Sequence, residues 1–515
     1  MQVGLHLKRY MGQELKMSAI ITEKFRLHNA EQFYESFSEA AKSTYYMFIG
    51  KSTPYTSGTS GGTDSSPPTP ADDVSSEFYY WDDMIAAKLI GSSDTTYAIP
   101  RRNWANSTTY DMYEHNISTS NTTTSGATNI YDSTFYFMTS AYKVYKVLDN
   151  NGGTAFSGAE PSATGNDPFA SGGYVLQYMY TLTTSEVEKF LTTDFMPVST
   201  DSTVSSAAVD GSIDSLIVTG GSGYTDGTYY TAVYGDGTNA GTSSGAVVSI
   251  KVTSGAIVSF GMTAGSDTVM HAAGAGYTYG TINLGDSYIF TNAALSSAGS
   301  LGSGSGASIS VVISPKGGHG KDAVKELGGH YVMLNTSLTQ AEGDDVTTAN
   351  DFRRVGLVTD PYDFGTTTVA TDSTRRMTKA MKLTSVSGTF DGDEKVSQAS
   401  TGAIGKVVEW DSSNNILYIV QERFGDYGTN GTTGAFVAFS GSNQITGATS
   451  GAVGTPDSTA DSAVTLAGGN TITFTDGYAN PELDPDSGDV IYIENRKPIS
   501  RSSDQTEDIK LIVEF

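Results

Sequence analysis

Apolar and polar positions alternate at the C-terminal end of the chain, and this pattern predicts an antiparallel strand with one buried face. Ile509, Leu511, Val513 and Phe515 fall on one side of the strand. Lys510 and Glu514 fall on the other side, which gives the two-residue period of a half-buried strand. Because the apolar face continues to Phe515, we expect this end to be docked in a sheet.

Patterns near the start of the sequence predict a helix followed by a strand. Phe33, Phe37 and Ala40 recur at helical spacing after Asn29, which we interpret as the N-cap. The apolar run Tyr45–Gly50 predicts a strand.

A second amphipathic helix is predicted from Phe78, Trp81, Ile85 and Leu89, which also recur at helical spacing. A stripe of this kind has two interpretations, core packing and the wall of a cofactor pocket. Core packing is the commoner use of such a stripe, and we therefore predict no cofactor.

The middle of the N-terminal half predicts more strands than helices. Residues 135–147 and 174–182 are rich in Tyr, Phe and Val, as strands are. Residues 185–191 predict a short helix with Ser185 as N-cap and Glu188 at its third position. Helical and strand patterns come in separate stretches, which favours an antiparallel core over a doubly wound sheet.

A Gly-, Ser- and Thr-rich block between about residues 203 and 313 contains a tandem repeat. Residues 221–228 (GSGYTDGT) recur as 274–281 (GAGYTYGT), and residues 245–250 (GAVVSI) recur as 306–311 (GASISV) in the same order. The repeat predicts two copies of a small β-module with a Gly-Tyr-Thr turn. Low-complexity disorder is the alternative interpretation of so glycine-rich a block.

A second block, from Thr384 to about Leu466, predicts a small barrel of short strands joined by Gly and Asn turns. Trp410 is one of only three tryptophans in the chain, and we expect it in the barrel core or against a neighbour. The resulting fold class is α+β and β-rich, with a discontinuous antiparallel core domain and two inserted all-β modules.

The predicted organisation therefore alternates core segments with inserts. Its parts are an N-terminal extension (1–16), the first part of the core (17–205), the tandem β-module repeat (206–313), the second part of the core (314–383), the barrel-like insert (384–470) and the C-terminal core strands (471–515). The basic extension has two interpretations, translation from an upstream start codon or ordering by a neighbour.

Composition excludes several classes of partner. The chain has 515 residues and a formal net charge of −26, so nucleic acid and anionic membrane are not expected to bind it. It contains no cysteine, which removes disulfides and thiolate chemistry. No apolar run approaches the roughly 20 residues of a spanning helix, and no signal peptide is recognisable.

Candidate catalytic and metal motifs fail on their own residues. A phosphate loop over the GGHGKD segment requires glycine and a hydroxyl where the chain has Pro315 and Asp322. A glycine-rich turn before a helix at residues 322–327 is predicted instead. The acidic turn at 484–489 lacks the glycine and the terminal Glu of a calcium loop. The six histidines have no ligand spacing, so we predict neither a metal site nor enzymatic activity.

One charged cluster leaves two interpretations open. Asp351, Arg353 and Arg354 lie together in the NDFRRVG segment. The arginine fork suits bidentate contact with a carboxylate of a partner. The equal alternative is a solvated ion pair within the chain.

Four short segments carry a resemblance to a known family. They are IPRRNW (99–104), YKVYKVLD (142–149), GYVLQYMYTL (173–182) and the C-terminal pair YIENRKPI (492–499) with DQTEDIKLIVEF (504–515). Each resembles, in the same order, a segment of the baseplate wedge subunit of T-even-type contractile-tailed phages, the gene-product-eight family. The two inserts have no counterpart in this resemblance.

The resemblance implies a structural subunit of a contractile tail baseplate, located in the virion and assembled in the host cytoplasm. It also implies a homodimer in each wedge, contacts with other wedge proteins, and six wedges around the tail hub. The residues implied in interfaces or in the core motif are Arg101, Arg102, Trp104, Arg353, Arg354, Glu494, Asn495 and Arg496. The alternatives are a glycan-binding adhesin, which predicts exposed aromatic clusters on the inserts, and a cell-wall-degrading enzyme.

Overall fold

The computed structural model describes residues 21–39, 43–55, 61–338, 350–422, 435–459, 462–466, 469–501 and 506–515. The predicted extension over residues 1–16 lies outside these ranges. Strands account for 40% of the structure and helices for 11%, which confirms the predicted α+β, β-rich class.

The helices are short and far apart in the chain. They are α1 (Glu23–Glu35), α2 (Val74–Asp82), α3 (Thr184–Phe190), α4 (Ser202–Ala207) and α5 (Ala323–Leu327). The strands before the first insert are β1 (Tyr45–Gly50), β2 (Met84–Ile90), β3 (Thr95–Pro100), β4 (Tyr136–Met138), β5 (Lys143–Asp149), β6 (Phe169–Ser171), β7 (Tyr174–Thr181) and β8 (Phe195–Pro197).

The remaining strands lie in the inserts and in the C-terminal part of the core. In the first insert they are β9 (Ile213–Ser222), β10 (Gly227–Ala232), β11 (Tyr234–Gly235), β12 (Val247–Thr253), β13 (Ala256–Ile257), β14 (Val269–Ala272), β15 (Gly280–Thr281) and β16 (Ser305–Ile313). After it come β17 (Tyr331–Leu338), β18 (Asp351–Thr359), β19 (Thr374–Arg376), β20 (Lys379–Ser387), β21 (Lys395–Gln398), β22 (Ala403–Asp411), β23 (Ile416–Val420), β24 (Ile445–Gly447), β25 (Val453–Pro456), β26 (Ala463–Thr465), β27 (Thr471–Thr473), β28 (Tyr478–Ala479), β29 (Asp489–Ser500) and β30 (Glu507–Glu514).

Two antiparallel sheets join the beginning of the chain to its end. One sheet has the order β19-β2-β1-β18-β29, and the other has the order β30-β17-β3-β8. Apolar residues of both sheets, among them Met47, Leu357, Val332 and Leu511, pack in one core. The discontinuous antiparallel core predicted from the sequence is therefore present.

The C-terminal strand is docked as predicted. β30 pairs with β17 along its whole length, and Ile509 and Leu511 are buried. The backbone N–H of Phe515 donates to the carbonyl of His330 at 3.2 Å, and its ring lies 5.3 Å from that of Phe33.

The first predicted helix exists but begins at a different residue. Its N-cap is Thr22, whose hydroxyl accepts the Phe25 N–H, and Asn29 lies inside the helix. The helix ends at Glu35, before Phe37. The prediction of Asn29 as N-cap was wrong, because Thr22 and the acidic first-turn residue Glu23 form an earlier helix start.

The second predicted helix was wrong in its C-terminal half. α2 ends at Asp82, and Ile85 and Leu89 belong to strand β2. β2 lies between β1 and β19, so most of its residues are buried. An apolar run buried on both faces has no period of two, and the helical spacing over residues 78–89 is coincidental.

A third sheet, β4-β5-β7-β6, holds the Tyr-rich strands predicted in the first part of the core. A turn at Tyr142, with φ of 59°, divides the predicted run 135–147 into two strands. The predicted short helix is α3, but its cap is Thr183 in a capping box with Glu186. The segment offers two such boxes two residues apart, and the structure uses the earlier one.

The two copies of the tandem repeat exchange strands. β9, which precedes the first Gly-Tyr-Thr turn, pairs with β16 of the second copy. β14, which precedes the second turn, pairs with β12 of the first copy. The insert is therefore one folded unit in which neither copy is complete without the other.

The tyrosine of each turn fixes this exchange with its hydroxyl. Tyr224 accepts the N–H of Ala307 in the second copy, and Tyr277 accepts the N–H of Ala246 in the first copy, both at 3.1 Å. Tyr277 is 2% exposed, whereas Tyr224 is half-buried. Each hydroxyl thus satisfies a backbone donor beside a strand of the opposite copy.

The second block contains a closed barrel. Its strands follow the order β23-β22-β21-β24-β25-β20, and β20 pairs with β23 to close the ring. Trp410 packs against Phe390, with ring centroids 5.2 Å apart. Val408 and Tyr418 join the core formed by the two large sheets, so the barrel packs against that core. The domain boundaries given above stay a prediction.

A buried cluster of charged and polar side chains lies where the first insert meets the core. Lys146 of β5 forms an ion pair with Glu326 of α5, and the two side chains are 0% and 2% exposed. The Lys146 ammonium also lies 4.6 Å from the centre of the Tyr113 ring. His319, on the predicted glycine-rich turn, lies 4.0 Å from Asp214 of β9.

Candidate interaction surface

Strand β29 forms one edge of the five-stranded sheet and contains three of the residues singled out from the sequence. It pairs with β18 on one side, and no strand of the described chain pairs with its other side. Two irregularities interrupt the ladder, one opposite Phe352–Arg354 and the other opposite Leu357–Val358. A sheet edge with unpaired backbone groups is the usual place for strand addition by a partner.

Arg354 of β18 lies under this edge and is held by three groups of its own chain. Its Nη1 lies 2.6 and 2.7 Å from the two carboxylate oxygens of Asp83. Its Nε donates to Oδ1 of Asn495 on β29 at 2.9 Å, and its guanidinium stacks on Tyr80 at 4.6 Å. Burial raises the pKa of Asp83, and the charge of Arg354 opposes that rise.

Arg353 points to the other face of β18 and is also held within the chain. It makes two parallel bonds to the carboxylate of Asp64, at 3.0 and 3.1 Å, and a contact of 3.3 Å to Asp351. Burial alone would raise the pKa of Asp64, but the hydrogen bonds from Arg353 and from the Tyr55 N–H lower it. Both arginines therefore hold carboxylates of their own chain, and neither is solvated, since Arg353 is 3% and Arg354 5% exposed.

A third buried pair completes the charge network formed by Lys51, Asp64, Asp83, Arg353, Arg354 and Glu422. Lys51 lies 3.5 Å from Glu422, and the Thr53 hydroxyl bridges them at 2.6 and 2.9 Å. Every cation in the network faces a carboxylate. A cavity of about 140 Å³ lies beside the network, and Lys51, Asp83, Arg354 and Glu422 are among its lining residues.

The three β29 residues have different roles. Asn495 links Arg354 to the Pro68 carbonyl, which its Nδ2 reaches at 2.9 Å. Glu494 accepts from the Tyr492 hydroxyl at 3.1 Å and pairs with Arg496 at 3.3 Å. Glu494 and Arg496 are more than 40% exposed in their side chains, so Asn495 belongs to the core motif while its neighbours lie on the surface.

A groove of about 610 Å³ runs along the outer side of β29. We call it the edge groove; it is lined by residues 69–74, Glu77, Tyr80 and residues 490–493. Its walls come from the start of α2, from the loop before that helix and from the sheet edge. Sequence reasoning missed this groove, because the adjacent lining segments are separated by about 400 residues in the chain.

Arg101, Arg102 and Trp104 form a separate cluster after β3. Arg101 donates to the Thr192 carbonyl at 2.7 Å. Arg102 stacks on the Tyr136 ring at 4.3 Å and donates to the Tyr131 carbonyl, and burial lowers its pKa. The Trp104 ring packs edge-on against Phe156, 5.8 Å away. All three residues bind neighbouring segments of their own chain, as a core motif does.

Sequence reasoning also missed the partners of Arg353 and Arg354. Asp83 and Asp64 stand about 270 and 290 residues before Arg354 and Arg353. A buried arginine is commonly paired with a carboxylate, but the sequence contains 56 acidic residues, and nothing in it selects Asp83 and Asp64.

The described residues contain no group of three or more His, Asp or Glu side chains arranged to hold a metal ion. None of the described helices is long and apolar enough to cross a membrane.

The described residues therefore form a β-rich fold with an open sheet edge and a network of paired charges. Residues 19–159 match the family described as Bacteriophage T4, Gp8, the baseplate wedge protein, which confirms the resemblance found in the sequence. The match includes the IPRRNW and YKVYKVLD segments and strands β1 to β5. It supports a structural role in a phage baseplate wedge. No curated protein matches the chain.

Proposed function

We propose that this chain is a non-catalytic subunit of a contractile tail baseplate wedge and that it holds neighbouring wedge proteins by surface contacts. The observation that carries the proposal is the family match over residues 19–159, which contains β1 and β2 of one core sheet and β3 of the other. The finer features implied by the resemblance belong to the same proposal: a homodimer in each wedge, six wedges around the hub, and assembly in the host cytoplasm before incorporation into the virion.

The shape of the molecule suits such a role. Several separate antiparallel sheets and a barrel leave a number of sheet edges at the surface. Stable interfaces bury on the order of 1,200–2,000 Å² in total, and a chain of this size has surface for several of them. Closed sixfold symmetry would require heterologous contacts between wedges.

The test is incorporation of variants into particles. Arg101→Ala and Trp104→Ala remove the two contacts that fix the IPRRNW segment to the Thr192 carbonyl and to Phe156. We expect both to lower the amount of the protein in purified baseplates. Lys24→Ala is the matched control, because Lys24 is an exposed cation on α1 within the same matched region. Wild-type incorporation of both variants would contradict the proposal for this segment.

A second assay separates loss of folding from loss of contacts. Trp104→Phe keeps a ring against Phe156, so we expect it to assemble better than Trp104→Ala at equal solubility. If the wild-type chain is absent from baseplates isolated from its own particle, the proposed function fails as a whole.

The adhesin alternative predicts a cluster of exposed aromatic side chains on the inserts. On the described parts of the two inserts Tyr279, 60% exposed, is the one strongly exposed aromatic side chain. A glycan array with the purified chain tests this alternative directly, and binding that Tyr279→Ala abolishes would favour it.

A further inference from the structure

The outer edge of β29 is open over a short, well-defined stretch. At one end, the Val490 N–H already donates to Glu77 of α2 at 3.2 Å. At the other end, the side-chain Nδ2 of Asn495 donates to the Pro68 carbonyl. Lys497 and Pro498 lie in the first irregularity of the ladder, and lysine and proline at a sheet edge block strand addition. Residues 491–494 remain between these two ends.

Exposed apolar side chains accompany this stretch. Ile491 is the extra residue of the second irregularity in the ladder, so it has no opposite residue on β18. It lines the edge groove and is 46% exposed. Val74, across the groove, is 81% exposed, and Phe78 follows it one turn later on α2. A bulge re-aims a side chain, and here the re-aimed side chain enlarges an apolar patch.

The charge around the patch has one sign. Asp72, Asp73 and Glu77 line the edge groove, and no Lys, Arg or His is among its lining residues. Hydrogen bonds from Ser75 and Ser76 lower the pKa of Asp73, so this carboxylate stays ionised at neutral pH. The whole chain carries a net charge of −26. An acidic occupant would therefore be repelled.

We propose that the edge groove receives an extended segment of a wedge partner, added as a strand to residues 491–494, with apolar side chains at alternate positions and Lys or Arg between them. This inference rests on the proposed function, since it names the kind of segment through which that assembly takes place. Backbone bonds to β29 would set the direction of the segment. Its apolar side chains would cover Ile491 and Val74, and its cations would face Asp72 and Glu77.

The same features disfavour two other occupants. Pairing of β29 with β29 of a second copy would bring two acidic grooves together, and like charges at close range oppose association. Nucleic acid would bring a further negative charge to the groove.

The open stretch of four residues allows only a short added strand. Four residues extend over about 13 Å at ~3.3 Å per residue, and each added backbone bond contributes little net free energy because it replaces bonds to water. Affinity must therefore come mainly from the apolar side chains and the charges, which makes both testable with a peptide.

The experiment measures binding of a fluorescent seven-residue peptide of alternating lysine and valine, with blocked termini, to the full chain. We expect saturable binding that weakens with added salt. A peptide of alternating glutamate and valine should bind at least about tenfold more weakly, a difference of about 1.4 kcal/mol. Equal binding of the two peptides would overturn the inference.

Two variants of the chain test whether the peptide binds in the edge groove. Ile491→Lys and Asp72→Lys each add a positive charge to the groove, and each should weaken binding at least about tenfold. Ile217→Lys is the matched control, because Ile217 is an exposed isoleucine of strand β9 with similar exposure, 40%, and it should bind as wild type. Asp72 lies in a loop, so Asp72→Lys keeps the test valid if Ile491→Lys fails to fold.

Incorporation into baseplates, measured in parallel, separates this inference from the proposed function. Normal incorporation of Ile491→Lys and Asp72→Lys, or unchanged peptide binding by both, would overturn the inference and leave the proposed function standing. Absence of the wild-type chain from baseplates would refute the proposed function. In that case, loss of peptide binding in the groove variants alone would still support the edge groove as a site for basic extended segments.

Discussion

Tyr277→Phe and Tyr224→Phe remove one hydroxyl each from equivalent positions of the two repeat copies. Both hydroxyls accept a backbone N–H at 3.1 Å, from Ala246 and Ala307 respectively. The two bonds therefore match in length and in role. They differ in burial, because Tyr277 and Ala246 are 2% and 0% exposed, whereas Tyr224 and Ala307 are half-buried.

That difference predicts unequal losses of stability. After Tyr277→Phe the buried Ala246 N–H has no partner and water cannot reach it, which costs about 1–3 kcal/mol. The Val233 carbonyl, which the Tyr277 hydroxyl also approaches at 3.4 Å, keeps its bond from the Gly241 N–H, so we expect about 2 kcal/mol. After Tyr224→Phe water can replace the hydroxyl, and we expect about 0.5 kcal/mol.

Hydrogen exchange of the amides in β12 and β16 measures both values locally, without unfolding the whole chain. A loss of about 2 kcal/mol speeds exchange roughly 30-fold, and a loss of about 0.5 kcal/mol speeds it roughly twofold. Equal acceleration in the two variants, or less than about threefold acceleration in β12 for Tyr277→Phe, would refute the reasoning from burial.

Three further predictions concern the cluster beneath the first insert and the insert itself. Lys146→Met should lower the free energy of unfolding by about 3–5 kcal/mol, because it leaves Glu326 charged and buried. The double variant Lys146→Met with Glu326→Leu should recover much of this loss in denaturant titrations. Additive losses from the two substitutions would contradict the prediction. Burial holds the pKa of His319 well below 6.5, so the neutral imidazole stabilises the fold above pH 6.5 and this stabilisation is lost as the pH falls. From pH 6.5 to 5.5 the free energy of unfolding of the wild type should fall by about 1 kcal/mol more than that of His319→Gln. Parallel curves of stability against pH would contradict this prediction. Deleting residues 212–313 with a short linker should leave a folded remainder that binds hydrophobic dyes through the uncovered Leu148, whereas aggregation would show that the insert is part of the core.

The sequence predicts those strands whose pattern is local. Tyr45–Gly50 and the strand ending at Glu514 are recognisable because their apolar runs have strand length and clear boundaries. Residues 78–89 mislead because only Asp83 separates a helix from a doubly buried strand, and the apolar positions of the two elements happen to keep helical spacing. Only pairing with β1 and β19 decides that Ile85 is in a strand.

The interaction surface lies further beyond sequence reasoning. Sequence motifs single out Arg353, Arg354 and Asn495, but they do not predict that Asp83 and Asn495 hold Arg354. The sequence suggests Arg354 as a contact for a partner, but in the structure it is buried and paired with Asp83, which is far away in the chain. Such long-range pairs depend on how the strands are arranged in the sheets, and a single sequence does not show which residues form them.

The segment with the family match should not fold by itself. Within residues 19–159, β1 lies between β2 and β18, and β3 lies between β17 and β8, so central strands would lose partners that stand outside the segment. Unpaired central strands expose backbone groups and apolar faces to water. We expect a fragment of residues 19–159 to show no cooperative unfolding by circular dichroism, and to gain structure when it is co-expressed with residues 160–515. A cooperatively folded fragment would show that the matched segment is an independent domain, and that the C-terminal strands are an addition to the scaffold instead of a part of it.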